Sequence, residues 1–241
     1  EVSKAQRFVD LFAGSAAVAL HVARHYPVAV RAHDLQQYSV VLANAVLARD
    51  CEFDPLSVFS EWAARATVQV ERKRAPRLVL CSANTVARHR RWCSRQLDLA
   101  ITRAYGGHYF SPEQAVWIDA LFSARPRQEP FSDAALSSLI RAASECAASP
   151  GHTAQPFQPT KTAIRFLEDA WRRDVLERTR KNFFLNAKQF SQRIGHASVA
   201  DANDVAGDLK EGDLVFIDPP YSGVHYSRFY HVLETLAVGE C

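Results

Sequence analysis

RFVDLFAGSAAVALHVARHYPVAVRAHDL, residues 7–35, decides the fold. RFVDLFAG (7–14) is a short apolar run closing on a glycine and reads as a buried strand and a turn. SAAVALHVARHY (15–26) carries helix formers at apolar spacing, with Ser15 as the expected N-cap. VAVRAHDL (28–35) is a second strand ending in an acid, and SVVLANAVLARD (39–50) a second helix. Alternating strand and helix over the first fifty residues predicts an α/β fold, a parallel sheet covered by helices.

Past residue 51 the rhythm changes. Residues 52 to about 160 show no strand–helix alternation. SPEQAVWIDALFSA (111–124) is a helix opened by a Ser111/Gln114 capping box with Pro112 at its first position. DAALSSLIRAASECAA (133–148) is another, SPGHTAQPFQPT is an irregular loop, and TAIRFLEDAWRRDVLERTRKNFF (162–184) reads as one long amphipathic helix. The sheet resumes with HASVADA (196–202) and DLVFIDPP (213–220). The expected organisation is a core of 1–51 and 196–241 interrupted by a mostly helical insertion, 52–195.

The bulk numbers narrow the class. A chain of 241 residues, 48% hydrophobic and 23% charged, fits one large domain or a domain with an insertion. No apolar run approaches the roughly 20 residues that span a bilayer, and EVSKAQRFVD has no signal-peptide core, so a cytoplasmic protein with no membrane partner is expected. Cys51, Cys81, Cys93, Cys146 and Cys241 are widely spaced with no CxxC, which predicts buried or idle thiols and no metal site. A net charge of +3 is too small to demonstrate a polyanion partner. Its distribution says more: Arg65, Arg72, Lys73, Arg74 and Arg77 crowd together, Arg88, Arg90, Arg91 and Arg95 follow with His89 and Trp92 among them, and Arg172, Arg173, Arg178, Arg180 and Lys181 form a further stretch. Arginine interleaved with aromatics suits a phosphate backbone and bases, against the competing reading of solvated helix faces.

Three strand ends carry chemistry, because ligands in open α/β sheets sit beyond the carboxyl ends of the strands. DLFAGSA (10–16) is a glycine turn into a helix that lets a ligand approach the backbone, although an ordinary tight turn looks the same and the spacing fails GxGxxG. HDL (33–35) places Asp34 about twenty residues further on, as a ribose-hydroxyl acceptor or as a helix N-terminal acid. In LVFIDPPYSG (214–223) an apolar strand runs into Asp218, and Pro219 and Pro220 fix the backbone and donate no N–H. The corner therefore offers carboxylate and carbonyl oxygens to one spot, which suits an exocyclic amine, and Tyr221 adds a planar face for a base.

FVDLFAGSA, HDL and DPPY, in that order around an insertion, resemble the S-adenosylmethionine-dependent amino-methyltransferases of DNA, and most closely the D12-type, Dam-like adenine-N6 class. YGGHYFSPEQAVWIDAL, the GHTAQPFQP loop and DPPYSGVHYSRFYHVLE resemble a bacterial subgroup of that family. The resemblance implies a Rossmann-like methyltransferase sheet that uses S-adenosylmethionine on double-stranded DNA, in a bacterial or phage restriction, defence or regulatory setting. It implies donor contacts from Asp10, Phe12, Ala13, Gly14 and Ser15, a ribose ligand in Asp34 with Leu35 beside the adenine, and an acid at the donor's adenine amine in Asp201, with Asp204 as the other candidate. Asp218, Pro219, Pro220 and Tyr221 then form the catalytic loop over an extruded adenine. Within SGVHYSRFYH, Tyr226 and Arg228 are the first candidates to close over the base, a helix start packed on the sheet being the other reading.

The chain departs from the family where a second glycine is common and Ala16 stands instead. It also lacks the basic-glycine segment before the first strand and the strands that follow DPPY, so a truncated methyltransferase is expected, its activity in this form open. Asp218 favours adenine over cytosine N4, and a degenerate DNA-binding module is the main rival reading.

Overall fold

The computed structural model describes residues 1–78, 82–221 and 227–239. Four strands, β1 (Arg7–Asp10), β2 (Ala29–Asp34), β3 (His196–Val199) and β4 (Asp213–Phe216), form one sheet in the order β3-β2-β1-β4. Every pairing is parallel, as the alternation of strand and helix predicts. The helices in chain order are α1 (Ala17–His25), α2 (Gln37–Leu47), α3 (Leu56–Lys73), α4 (Ala83–Cys93), α5 (Ala100–Tyr105), α6 (Pro112–Ala124), α7 (Phe131–Cys146), α8 (Ile164–Trp171), α9 (Val175–Ala187), α10 (Ala202–Ala206) and α11 (Ser227–Val238). The chain has an α/β Rossmann-like architecture with many helices added to its sheet.

Two compact units divide the chain: Glu1–Leu56, Pro126–Ser138 and Phe183–Val224, and Ser57–Arg125, Leu139–Asn182 and His225–Cys241. The first unit holds the sheet. Phe8, Val30, Ala32 and Ala197 from the strands pack with Leu20 of α1 and Val40, Val46 and Leu47 of α2 in one core. The strands read as apolar because a parallel sheet is covered on its faces. β4 differs. It pairs only with β1, its four residues are half-buried, and Ile217 just beyond it is 63% exposed. The expected buried strand is therefore an edge strand among the described residues. A bidentate ion pair from Arg7 to Asp213, 2.7 and 2.5 Å, joins the first residues of β1 and β4 in register.

The other sheet edge is finished by a side chain. The Asn44 amide donates to Ala197 O (3.1 Å) and accepts from Ala197 N (2.7 Å), so α2 supplies to β3 the two bonds that a further strand would make. Just before β3, Gly195 passes so close to β2 that a Cβ there would lie 2.4 Å from Val30 O. Arg49, 6% exposed, donates to the carbonyls of Ala45, Cys51, Asn186 and Ala187 and fastens the end of α9 to the end of α2.

The second unit is helical. Trp62, fully buried on α3, donates its indole N–H to Leu121 O of α6 (2.8 Å). Asp119 of α6 accepts from Ile101 N, Thr102 N and Thr102 Oγ1 and so caps α5. The Ser111–Gln114 capping box and Pro112 at the start of α6 stand as the spacing predicts.

Two local expectations are corrected, and one helix not singled out in the sequence appears. The first helix is capped at Ala16, not Ser15, because the turn continues through a second left-handed residue, Ala16 at φ 62°. The long helix expected over 162–184 is broken between Trp171 and Val175. Asp174 starts a new helix by accepting from Glu177 N (2.9 Å), and the Gln114 amide takes the freed carbonyls of Ala170 and Arg173, both at 2.8 Å. The stretch after residue 52 begins with an 18-residue helix, α3, whose Phe59, Trp62 and Ala66 repeat at the spacing of one helix face.

Candidate active site

The strand order reverses between β1 and β4: β1 leads through α1 to β2 on one side of it, while β4 lies on the other. A crevice at such a switch point, outside the carboxyl ends of the strands, is where doubly wound sheets hold ligands. Three carboxylates stand at the ends of the strands around it. Asp10 is the last residue of β1, Asp34 the last of β2, and Asp218 lies two residues beyond β4.

Asp10 is 1% exposed. Burial pushes its carboxyl up to about 6, against the bond it accepts from Phe12 N (3.1 Å), and the negative charges of Asp34 and Asp218 add to the rise. Their influence on Asp10 places the β2 and β4 ends within electrostatic reach of the β1 end. Leu11 N donates to Phe216 O (3.2 Å), which carries the β1–β4 pairing to the edge of the glycine turn.

The turn itself is tied to Asp34. Gly14 N donates to Asp34 Oδ2 (2.8 Å), Gln36 N donates to Asp34 Oδ1 (3.0 Å), and Ala13 N donates to His33 O (2.8 Å). One carboxylate thus orders both the β1–α1 and the β2–α2 turns, and it keeps further lone pairs for a ligand. Gly14 adopts φ +52°, which only glycine takes without strain, and a Cβ there would meet nothing nearer than Phe12 O at 4.0 Å. Bare backbone therefore borders open space at the turn. The Ala16 methyl points elsewhere: Ala16 is fully buried in the sheet core. Ala13 is buried, Phe12 half-buried and Ser15 exposed.

At the same end of β2, on its β3 side, Ala200 N donates to Asp34 O (3.0 Å), so Asp201 begins where the β2–β3 pairing finishes. Asp201 is exposed and caps α10 by accepting from Asn203 N (2.8 Å). Leu35 is 69% exposed. Asp218, Pro219, Pro220 and Tyr221 are all exposed, and the Tyr221 hydroxyl donates to Asp218 Oδ1. The tyrosine is thus a bonded neighbour of the carboxylate, a contact that spacing alone does not reveal. Tyr226 lies outside the described residues. Arg228 is exposed on α11, in the second unit.

The basic stretches divide into paired and exposed residues. Arg172, Arg178 and Arg180 are paired with Glu168, Glu145 and Glu177. On α4, Arg90 turns inward to Gly107 O (2.9 Å), while Arg88 and Arg91 are exposed.

Neither the curated proteins nor the solved structures contain a match to the chain. A family model described as D12 class N6 adenine-specific DNA methyltransferase matches residues 1–67 and 145–240, a span that contains the sheet, the glycine turn and the DPPY corner. The chain belongs to that class of methyltransferases.

Proposed function

We propose that the protein transfers a methyl group from S-adenosylmethionine to the N6 amine of adenine in double-stranded DNA. The observation that carries this reading is the gathering of Asp10, Asp34 and Asp218 around one switch point beside a bare glycine turn. The residues fit the donor: the open space at Gly14 accommodates close backbone approach, Asp34 has acceptor capacity for a ribose, and three carboxylates favour a cation. When bound, the donor supplies an electrophilic methyl on a positively charged sulfur.

In this reading Asp10, Phe12, Ala13, Gly14 and Ser15 line the donor's approach, Asp34 takes the ribose, and Leu35 and Asp201 flank the adenine. Asp218 and the Pro219 carbonyl accept from the target amine and orient its lone pair, while Tyr221 provides a stacking face. Tyr221 holds Asp218 through Oδ1, and Oδ2 is the oxygen that would accept from a substrate amine. Tyr226 and Arg228 contact the target base, and residues 52–195 form the target-recognition insertion around a core of 1–51 and 196–241. The setting is bacterial or phage-borne restriction, defence or regulation. The rival reading, a degenerate DNA-binding module, drew on Ala16. Its buried methyl lies in the core, away from the turn's open side, and so favours the enzyme.

The test is a pair of variants. Asp218→Ala abolishes methylation of adenine in duplex DNA, by about 10³-fold or more, and still binds the donor. Asp34→Ala weakens donor binding itself by at least tenfold, roughly 1.4 kcal/mol. Full methylation by Asp218→Ala would end the catalytic assignment. No donor binding by the wild-type protein would favour the module.

A further inference from the structure

A half-open cavity is lined wholly by residues of the helical unit. Its volume is about 450 Å³, within the roughly 300–1,000 Å³ of small-ligand sites. Two tryptophans, Trp117 of α6 and Trp171 at the end of α8, share its wall with Arg77, Arg172 and Arg173. Val175 and Leu176, which open α9, also border it, and the first N–H groups of a helix have no acceptor inside it. The break between α8 and α9 is what turns this helix start toward the cavity.

Trp171 backs the wall of the cavity from an apolar cluster with Val86, Ala148, Leu167 and Ala170. It is 97% buried by its 3% exposure, yet its indole N–H has no acceptor among the described residues. One neighbouring ring is His89, centroid 6.0 Å away and near parallel, whose own Nδ1 is buried and unpartnered. Orphaned buried donors are rare. Trp117 is half-buried and offers the cavity an indole surface. Arg77 is exposed and makes no ion pair among the described residues, whereas Arg172 is held by Glu168 and Arg173 donates to Glu145 O. Two carboxylates, Glu113 and Asp174, also reach the rim, the latter engaged in capping α9. Indole surface, a guanidinium with no ion pair among the described residues and a helix N-terminus together match an aromatic ring that carries an anion.

We infer that this cavity binds a nucleotide, with its base against Trp117 and its phosphate held by Arg77 and the start of α9. The occupant is a mononucleotide or one residue of a single strand, since both present the same chemistry. The assignment is independent of the methyl-transfer site: Arg77 and Trp117 fall between the two segments that the family model matches.

Calorimetry on the full chain tests it, with Asp34→Ala and Asp218→Ala present together so that the sheet site cannot contribute. Deoxyadenosine 5′-monophosphate is expected to saturate below about 1 mM, and deoxyadenosine or inorganic phosphate alone to bind at least about tenfold more weakly. Adding Trp117→Ala or Arg77→Gln weakens the mononucleotide by about tenfold each. Arg77 is exposed, so its substitution tests the site even where Trp117→Ala fails to fold. A short single strand that binds tighter than the mononucleotide identifies nucleic acid as the source, and equal affinity identifies the free nucleotide. An absence of saturation, or an unchanged affinity in Arg77→Gln, overturns the proposal.

Discussion

At Asp10 burial and the neighbouring negative charges act in the same direction, and only the bond from Phe12 N opposes them. Its folded pKa, about 6, stands above the ordinary carboxylate value of 3.8. The folded state thus holds a proton that the unfolded state has released. The stabilising contribution is fully present below about pH 4 and is lost as pH rises through 6, by roughly 3 kcal/mol at most. Asp10→Asn keeps an oxygen for Phe12 N and removes the titration. Its unfolding free energy is expected to exceed that of the wild type at pH 8 and to converge with it near pH 4. Asp133, also raised to about 6 by burial and Glu129, keeps a residual slope in both proteins. A cationic donor reverses the preference for the proton, so donor affinity should rise between pH 5 and 7 in the wild type and stay level in Asp10→Asn. At the DPPY corner, Tyr221→Phe retains the ring and loses only the hydroxyl that holds Asp218. Methylation within about tenfold of wild type in Tyr221→Phe, with a loss of 10²-fold or more in Tyr221→Ala, is the expected pattern for a stacking platform. Equal losses would assign the role to the hydroxyl. Asp10, Asp34 and Asp218 were legible from sequence because each ends an apolar run. The Tyr221–Asp218 bond and the depth of Asp10 were not, since both depend on side-chain direction and on neighbours far along the chain.

Elements here are joined by small, specific devices. Asn44 satisfies both polar groups of Ala197, so Asn44→Ala strands two buried groups at the β3 edge and should cost roughly 2 kcal/mol in denaturant unfolding. Gly195→Ala drives a Cβ against the Val30 carbonyl, backbone against backbone, and about 1–3 kcal/mol is expected there. A fully stable Gly195→Ala would contradict the close approach before β3. The strands and the capped helix α6 could be read locally, because apolar runs and capping residues act over a few positions. The break after α8 could not be read from amphipathic spacing, which continues across it. The cue was Asp174 with Glu177 three residues on, and the decisive partner, Gln114, lies 59 positions from Arg173. The start of β4 depends on Arg7 in the same way. Arg7→Met removes a partly exposed bidentate pair and should cost about 1 kcal/mol. Arg7 holds the Asp213 carboxyl below its ordinary range, so the stability that this pair adds is lost as pH falls into the acid range.

Across the whole molecule, an α/β sheet with helices added was legible because parallel strands need crossovers and the first fifty residues display one of them and the helix that opens a second. The edge position of β4 was not, since an apolar strand reads alike at a centre and at an edge. The family match over 1–67 and 145–240 covers the sheet and leaves 68–144 outside it, where half of the residues lining the helical unit's cavity lie.

The β1–β4 ladder joins positions 206 apart, whereas β1 and β2 pair across a single short helix. Closing so long a loop is entropically slow to find although only modestly unfavourable once found. On the ribosome, then, the β1-α1-β2 unit can settle early, and Asp218 can join Asp10 only after the whole helical stretch between them has been made. A nascent chain stalled anywhere in the helical stretch carries a half-built cleft, and the capacity for chemistry arrives in a single late step.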